Sequence, residues 1–211
     1  MFYKISYIYI FMNKISEGAE AEIFMISDKV LKKVRLEKTY RLLEIDLKLR
    51  KFRNKREFKI LKKLFDSKVN VPEPHELIEN KKTGEISFTF EYLHGNILKE
   101  VLNEELLKKA FLEIIKMHNS EVIHSDLTTL NMIEVMDEIF LIDFGLSDFS
   151  FKTEDRAVDL NLFFNCIKNE HPDLFYLKDE LIKMYLNGVE SGKKVILRLE
   201  KVEQRGRNKG K

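Results

Sequence analysis

The chain has 211 residues, of which 44% are hydrophobic, and its formal net charge is +2. This length suffices for one large domain or two small lobes with a real core, and the composition argues against disorder of the whole chain. The single cysteine, Cys166, excludes a disulfide framework and indicates a reducing compartment.

The charge is concentrated in two basic segments. Residues 29–68 hold 16 Lys/Arg against 5 Asp/Glu, and residues 193–211 hold 8 against 2. Such segments attract polyanions, although solvated helix faces give the same pattern. Charge alone therefore leaves nucleic acid contact as one of two interpretations.

The first eleven residues, MFYKISYIYIF, form an apolar run that is too short to span a bilayer and lacks a small-residue cleavage site. We therefore expect a non-secretory protein, cytoplasmic and also nuclear in a eukaryote. Residues 1–11 are interpreted as an extension: an added strand, an aromatic tail, or sequence upstream of the true start, since Met12 directly precedes the first organised segment.

Residues 12–93 are predicted to form a β-rich front lobe with one helix. ISEGAEAEIFMI and KVLKKVRL indicate two short strands, and a long charged helix follows over residues 42–65. The two prolines of VNVPEPHELI predict a loop leading into a strand, and ISFTFEYL is a further β-rich run. The boundary with the next lobe falls within residues 91–95.

Residues 94–202 are predicted to form a mainly helical back lobe. Asn103 is a candidate cap for an amphipathic helix, and two short strands around 131–135 and 139–142 bracket a turn. Helices are expected from Thr153 onward. The basic tail, residues 203–211, has no apolar anchor, so we expect it to be disordered. The fold class is therefore α+β, with two lobes.

Two motifs of the back lobe carry the chemistry. VIHSDLTTLNM contains an H-x-D-x-x-x-x-N loop, and LIDFGLS contains a D-F-G sequence twelve residues after Asn131. Asn131 and Asp143 supply the hard oxygen ligands that Mg²⁺ prefers, while nucleotide phosphates complete its coordination. Asp126 can accept or orient the proton of an attacking hydroxyl. In this order and spacing, the motifs predict phosphoryl transfer from ATP with magnesium.

A nucleotide-binding lysine is expected in the second strand, where Lys32 and Lys33 are adjacent. Side chains alternate along a strand, and placing Lys33 inward would also turn Lys29 and Arg35 inward, which is costly. Alternation therefore favours Lys32. Its predicted partner is Glu57, a carboxylate on the apolar face of the long helix.

The phosphate-covering loop is atypical, because it holds one glycine where a G-x-G-x-x-G hairpin holds three. Gly18 and its small neighbour Ala19 still allow the backbone to approach phosphate. Ile15 is predicted to cover the adenine. The backbones of Glu91 and Leu93 are predicted to hydrogen-bond it.

Two further residues are given structural roles around the catalytic loop. Asp159 is predicted to hold the backbone of that loop by hydrogen bonds, and His124 to pack against the D-F-G turn rather than to carry protons. Only thirteen residues separate Gly145 from Asp159, and they contain no A-P-E sequence. The chain therefore lacks the long activation segment on which ordinary protein kinases dock substrates.

From residue 12 onward the sequence resembles the small atypical kinase of the KEOPS complex, also called the PRPK family. The motifs that carry the resemblance are EGAEAEIF, KKVRLEKTYR, LRKFRNKRE, HSDLTTLNM, IDFGLSDFS, EDRAVDL and EKVEQRGRNKGK. The chain departs from the family at Ser125, where a glycine is usual. The spacing to KTYR fits Lys33 as well as Lys32, so the family pattern leaves the choice of lysine open.

The resemblance implies a minimal two-lobed kinase fold that uses ATP and Mg²⁺ as a non-specific serine/threonine kinase, with autophosphorylation or ATP hydrolysis. It also implies a role in threonylcarbamoyl modification of adenosine in tRNA. The implied partners are a threonylcarbamoyltransferase subunit on the C-lobe, a small regulatory subunit on the N-lobe, and tRNA, indirectly or through the basic tail.

Two other functions are compatible with the same motifs. A small-molecule phosphotransferase also uses an H-x-D loop, but such enzymes normally carry a helical substrate-binding insert that this chain lacks. A nucleotide-binding scaffold with little turnover is the other, and the intact set of candidate catalytic residues argues against it.

Overall fold

The computed structural model describes residues 13–18, 20–80 and 85–207. They form two compact units. The first contains the described residues up to Lys62 together with Pro72–Leu93, and the second contains Lys63–Val71 and the described residues from His94 onward. The first is dominated by a sheet and the second by helices, so the predicted α+β class is confirmed. The predicted extension, residues 1–11, lies outside the described residues.

The first unit is built on a five-stranded antiparallel sheet in the order β1-β2-β3-β5-β4. Its elements are β1 (Asn13–Glu17), β2 (Ala21–Ser27), β3 (Val30–Arg35), helix α1 (Leu43–Asp66) as far as Lys62, β4 (Pro74–Glu79) and β5 (Ile86–Glu91). ISEGAEAEIFMI therefore forms two strands rather than one. The chain reverses at Gly18, whose backbone N–H donates to the carbonyl of Ala21 at 2.9 Å.

Helix α1 buries an apolar stripe because large aliphatic residues recur every three to four positions. Ile60 and Leu61 are almost completely buried, as is Phe88 on β5. The ring of Phe58 packs at 5.9 Å from that of Phe88, which ties the helix to the sheet. Strand β3 lies between β2 and β5, so its side chains on the helix side face a filled core.

The second unit is mainly helical and carries two small sheets, β6-β8-β9 and β7-β10. Its helices are α2 (Leu98–Val101), α3 (Glu104–Asn119), α4 (Thr153–Glu170), α5 (Lys178–Gly188) and α6 (Gly192–Arg207). Its strands are β6 (Asn96–Ile97), β7 (Val122–Ile123), β8 (Met132–Val135), β9 (Glu138–Leu141) and β10 (Asp148–Phe149). The predicted cap of α3 is confirmed, since Asn103 Oδ1 accepts from the Leu106 amide at 2.9 Å.

The core of the second unit forms where α3, α4 and α5 meet. The Phe111 ring on α3 lies 5.7 Å from Phe163 on α4 and 6.3 Å from Tyr185 on α5, and all three side chains are fully buried. None of the helices described in the structure is both long enough and apolar enough to cross a bilayer.

The prediction that the tail is disordered from residue 203 is wrong, because α6 continues to Arg207. Val195 and Leu199 bury one face of the helix. Beyond them, Glu203 accepts a hydrogen bond from Lys178 at 2.6 Å and Arg205 donates to Glu154 at 3.0 Å. Ion pairs from α6 to α5 and to α4 thus stabilise α6 beyond its last apolar residue. Residues 208–211 lie outside the described residues.

Candidate active site

The first unit holds a buried ion pair between β3 and α1. Lys33 Nζ lies 2.6 Å from Glu57 Oε1, and the two side chains are only 8% and 5% exposed. Burying two charges is favourable only when the geometry is good and the remaining polar atoms are satisfied. The second oxygen of Glu57, Oε2, is satisfied by a hydrogen bond from Arg35 Nη2.

The prediction that Lys32 pairs with Glu57 is therefore wrong. Lys33 and Arg35 occupy the same side of β3, and both are buried, whereas Lys32 is half-buried. Strand alternation favours Lys32 when two inward cations are counted as costly. In the structure one glutamate pairs with both cations, and Asn54 accepts a further hydrogen bond from Arg35 Nε at 3.1 Å.

Asn54 anchors this cluster to the sheet. Its side-chain amide donates to the backbone carbonyl of Ile86 on β5 while its oxygen accepts from Arg35, and it is completely buried. Neither Arg35 nor Asn54 was a sequence-predicted site residue. The available signal was Asn54 lying three positions before Glu57, on the same face of the helix.

The residues predicted to contact the nucleotide in the first unit differ in exposure and in the space around them. Ile15 is 38% exposed. A Cβ added at Gly18 would meet nothing closer than 3.6 Å, so the fold of this turn does not itself require glycine. The role of Gly18 in admitting phosphate stays a prediction. Ala19 lies outside the described residues.

The segment Glu91–Leu93 is held by backbone hydrogen bonds within the first unit. The Glu91 amide donates to the carbonyl of Glu73 at 2.9 Å, and the Tyr92 amide donates to the carbonyl of Lys29 at 2.8 Å. Leu93 is buried. The amides of Glu91 and Tyr92 are thus already engaged, which leaves the Glu91 carbonyl and the Leu93 amide as the candidate adenine contacts.

The second unit holds the H-x-D-x-x-x-x-N loop in a closed form. Asn131 Nδ2 donates both to the carbonyl of Asp126, at 2.8 Å, and to its carboxylate Oδ2, at 2.9 Å. Asp126 is exposed. The amide therefore orients the aspartate, and its own oxygen, Oδ1, is directed to the other side of the amide group, where it can act as a metal ligand.

The D-F-G segment is tied to this loop. The Ile142 amide donates to the carbonyl of Asn131 at 3.0 Å, just before Asp143. Asp143 adopts the left-handed conformation, with φ 58° and ψ 71°, and its Oδ1 accepts from the Gly145 amide at 3.2 Å. A non-glycine residue in this region stores strain that the surrounding fold must hold, a feature common in active sites.

Asp159 holds the backbone of the H-x-D-x-x-x-x-N loop by hydrogen bonds, as predicted. Its two carboxylate oxygens accept from the backbone amides of His124, at 2.6 Å, and Ser125, at 2.7 Å. Burial by itself raises the pKa of Asp159. Its interactions with His118 and its hydrogen bond from the His124 amide lower the pKa by more, so the pKa lies below its usual value. The carboxylate is thereby kept ionised as an acceptor.

His118 and Tyr185 extend this buried chain and were not predicted. His118 Nε2 lies 3.4 Å from Asp159 Oδ2, and its Nδ1 lies 2.8 Å from the Tyr185 hydroxyl. Burial raises the pKa of Tyr185, so its hydroxyl stays protonated. The sequence signal was a histidine within the apolar stripe of α3.

His124 packs against the D-F-G turn, as predicted. Its ring lies 5.0 Å from that of Phe144, and its Nε2 donates to the carbonyl of Ile142 at 3.0 Å. His124 Nδ1 is buried and has no hydrogen-bond partner within the described part of the chain. A ring with one nitrogen committed and the other enclosed fits a structural role.

Ser125 departs from the family pattern at a position where the backbone favours glycine. Its φ is 65°, in the left-handed region that L-residues adopt at a cost of about 1–2 kcal/mol. Its amide is one of the two that donate hydrogen bonds to Asp159. The loop conformation is thus retained with serine, and the hydrogen bond to Asp159 offsets part of the strain.

Taken by themselves, the lysine–glutamate pair of one unit and the Asp126, Asn131 and Asp143 set of the other are the features of a protein-kinase-like protein. Comparison with known proteins agrees. The family model described as "RIO domain" matches residues 11–147. The KEOPS complex subunit Bud32 of Pyrococcus abyssi is 36% identical over 93% of this chain and 96% of its own length.

Two more relatives support the same assignment. A probable serine/threonine-protein kinase BUD32 homolog of Archaeoglobus fulgidus is 33% identical, over 92% of this chain and 95% of its own. A probable bifunctional tRNA threonylcarbamoyladenosine biosynthesis protein of Methanocorpusculum labreanum is 35% identical over 90% of this chain, which corresponds to 35% of that longer protein. The chain therefore belongs to the RIO-domain family and, within it, to the Bud32 proteins, which confirms the resemblance drawn from the sequence.

Proposed function

We propose that this chain is the ATP-dependent atypical serine/threonine kinase and ATPase subunit of a KEOPS complex, and that it supports threonylcarbamoyl modification of adenosine in tRNA. The observation that carries the proposal is the Asp126–Asn131 loop, closed on itself and held by Asp159. The names of the relatives supply the complex and the tRNA modification.

The chemistry assigns one role to each residue of the second unit. Asp126 accepts or orients the proton of the attacking hydroxyl or water, and its orientation by Asn131 suits that role. Asn131 and Asp143 would hold Mg²⁺, which neutralises charge on the phosphates when bound. Both aspartates are exposed, as groups that must meet a ligand should be.

The donor set suits magnesium in a nucleotide site. No cluster of three or more His, Cys, Asp or Glu side chains able to hold a metal occurs among the described residues. A site with one carboxylate and one amide oxygen is incomplete by itself, and this is typical of Mg²⁺ sites that are completed by substrate phosphates and water. We infer that metal and ATP bind together.

In the first unit, Lys33 is the candidate for the nucleotide phosphates. A lysine that pairs with a helix glutamate is presented in one orientation, which removes much of the entropic cost of contacting phosphate. Gly18 and Ile15 are proposed to contribute to covering the nucleotide. The Glu91 carbonyl and Leu93 amide are proposed to bind its adenine.

The partners are proposed from the family. These are a threonylcarbamoyltransferase subunit, a small regulatory subunit, and tRNA. The tRNA would be contacted indirectly or through the basic end of the chain from Glu203 onward. We propose that the complex acts in the cytoplasm. Each phosphate that a lysine or arginine neutralises releases counterions, so a direct contact with tRNA would weaken steeply with salt.

The test follows the γ-phosphate of radiolabelled ATP in purified protein, with and without the partner subunits and tRNA. Label on protein supports kinase activity, and free phosphate supports ATP hydrolysis. Asp143→Ala should abolish both, whereas Asp148→Ala, an exposed aspartate of the same segment, should not. Label that passes only to a small molecule would favour a small-molecule phosphotransferase. Wild-type turnover in Asp143→Ala would refute the proposal.

A further inference from the structure

Arg156 is a buried cation without a counter-charge among the described residues. It lies at the start of α4 and is only 7% exposed. Its Nη1 donates to Ser191 Oγ at 3.1 Å, but its Nε is buried and finds no hydrogen-bond partner in the described part of the chain. An unpaired buried charge and an unsatisfied buried donor are both costly, so such a group calls for a ligand.

Arg156 lines a cavity of about 530 Å³ within the second unit. Ser191, Lys193 and Lys194 also line it, and they surround the first residue of α6, Gly192. The N-terminus of a helix carries partial positive charge, which attracts anions. A serine, two lysines, a helix N-terminus and a buried arginine thus line one cavity.

The start of α6 is held in place by close packing. A Cβ at Gly192 would lie 2.9 Å from the carbonyl oxygen of Tyr185 and 3.1 Å from Leu186 Cα, so only glycine allows α6 to begin this close to α5. The Gly192 amide donates to the Val189 carbonyl at 2.8 Å. The N-terminus of α6 and the Arg156 side chain are therefore parts of one fixed framework.

Two acids also line the cavity, Glu121 and Glu190, and both are exposed. Glu121 lies 3.7 Å from Lys63, and neither acid pairs with Arg156 within the described ranges. The two acids just before Arg156 are engaged elsewhere: Asp155 accepts a hydrogen bond from Ser150 Oγ at 2.7 Å, and Glu154 pairs with Arg198 and Arg205. Exposed carboxylates can turn into water, whereas the guanidinium cannot, so the fixed charge of the cavity is positive.

We propose that this cavity binds a phosphate group, either as inorganic phosphate or as the monoester end of a small phosphorylated molecule. Arg156 would donate from its terminal Nη groups, because a guanidinium fork matches the oxygens of a phosphate. The Ser191 hydroxyl would donate as well. The cavity volume lies within the range of small-molecule sites, roughly 300–1,000 Å³. This size and the single buried guanidinium favour a single phosphate group over a polynucleotide backbone.

The experiment titrates the full-length protein with inorganic phosphate and, separately, with O-phosphoserine as a small monoester. Binding is followed by calorimetry at constant ionic strength against a chloride control. We expect saturable binding that Arg156→Gln weakens at least tenfold and that Ser191→Ala weakens several-fold. Lys183→Gln removes an exposed charge from α5 outside the cavity and is the matched control, with unchanged affinity.

The kinase-type site can also bind phosphate, so every variant is made in the Asp143→Ala background as well, where the loss caused by Arg156→Gln should persist. Should Arg156→Gln fail to fold, Arg156→Lys and Ser191→Ala decide, because both retain the buried cation. Equal affinity in wild type and folded Arg156 variants would overturn the proposal. Binding of a short RNA that depends on Arg156, while neither small phosphate binds, would overturn it too.

Discussion

Replacing Lys33 with alanine tests the role of the buried ion pair most directly, because its neighbour Lys32 is a matched control one position away. In the wild type, Glu57 accepts from Lys33 through Oε1 and from Arg35 through Oε2. Lys33→Ala removes the cation proposed to contact the nucleotide phosphates. It leaves Glu57 paired with Arg35.

The structure sets the size of the effect. Removing one partner of a buried ion pair typically costs about 3–5 kcal/mol, because the other charge is left alone. Here Arg35 still neutralises Glu57, so we expect a smaller loss of unfolding free energy, about 1–3 kcal/mol. Turnover should fall about 100-fold or more, which corresponds to roughly 2.7 kcal/mol of transition-state stabilisation.

The two effects are separable by assay. Urea unfolding measures the stability of each variant, and phosphate release from ATP measures its turnover at a temperature where both variants are folded. Lys32→Ala should change turnover by less than tenfold, about 1.4 kcal/mol. Strong loss of turnover in Lys32→Ala with near-normal Lys33→Ala would refute the proposal that Lys33 contacts the nucleotide phosphates.

Four further predictions concern the second unit. Asp126→Ala and Asp143→Ala should each abolish phosphate release, but only Asp143→Ala should weaken magnesium-dependent ATP binding, which calorimetry measures. Equal weakening of ATP binding by both substitutions would contradict the separate roles of the two aspartates. Ser125→Gly should preserve the loop and change the unfolding free energy by no more than about 1 kcal/mol, since glycine adopts φ 65° without strain but adds entropy to the unfolded chain. Because the pKa of Asp159 is lowered, its stabilising effect is complete above its ordinary value of 3.8 and is lost as pH falls through the lower folded value. Below about pH 4, urea unfolding should therefore show a steeper loss of stability in wild type than in Asp159→Asn. Deleting residues 203–211 removes two partly exposed ion pairs, worth about 0.2–1 kcal/mol each, so the melting temperature should fall by only a few degrees. The salt dependence of tRNA binding by the assembled complex should become weaker. An unchanged salt dependence would exclude the tail from tRNA contact.

Local chemistry and residue spacing are enough to predict the catalytic loop. The Asp126-to-Asn131 interval and the D-F-G triplet predict one kind of chemistry, and in the structure Asn131 Nδ2 donates a hydrogen bond to Asp126. The capping of α3 by Asn103 and the support of the loop by Asp159 were also predictable. Each depends on a motif that is short, or on the known need of a polar group for a partner.

The choice between Lys32 and Lys33 was beyond the reach of the sequence. Alternation gives two possible registers for β3, and the cost of burying cations decides between them only when their partners are known. The partners, Glu57 and Asn54, lie some twenty residues further along the chain. Only the packing of α1 on the sheet shows that one carboxylate satisfies both Lys33 and Arg35.

The same reason explains the other differences. Continuation of α6 to Arg207 depends on Lys178 and Glu154, and the burial of Arg156 depends on the start of α6, all distant in sequence. Hydrophobic periodicity and turn residues act over a few positions, so the sequence by itself determined the elements and their motifs. Burial of charge depends on partners that come together from different elements. The tertiary structure alone decided which residues become these partners.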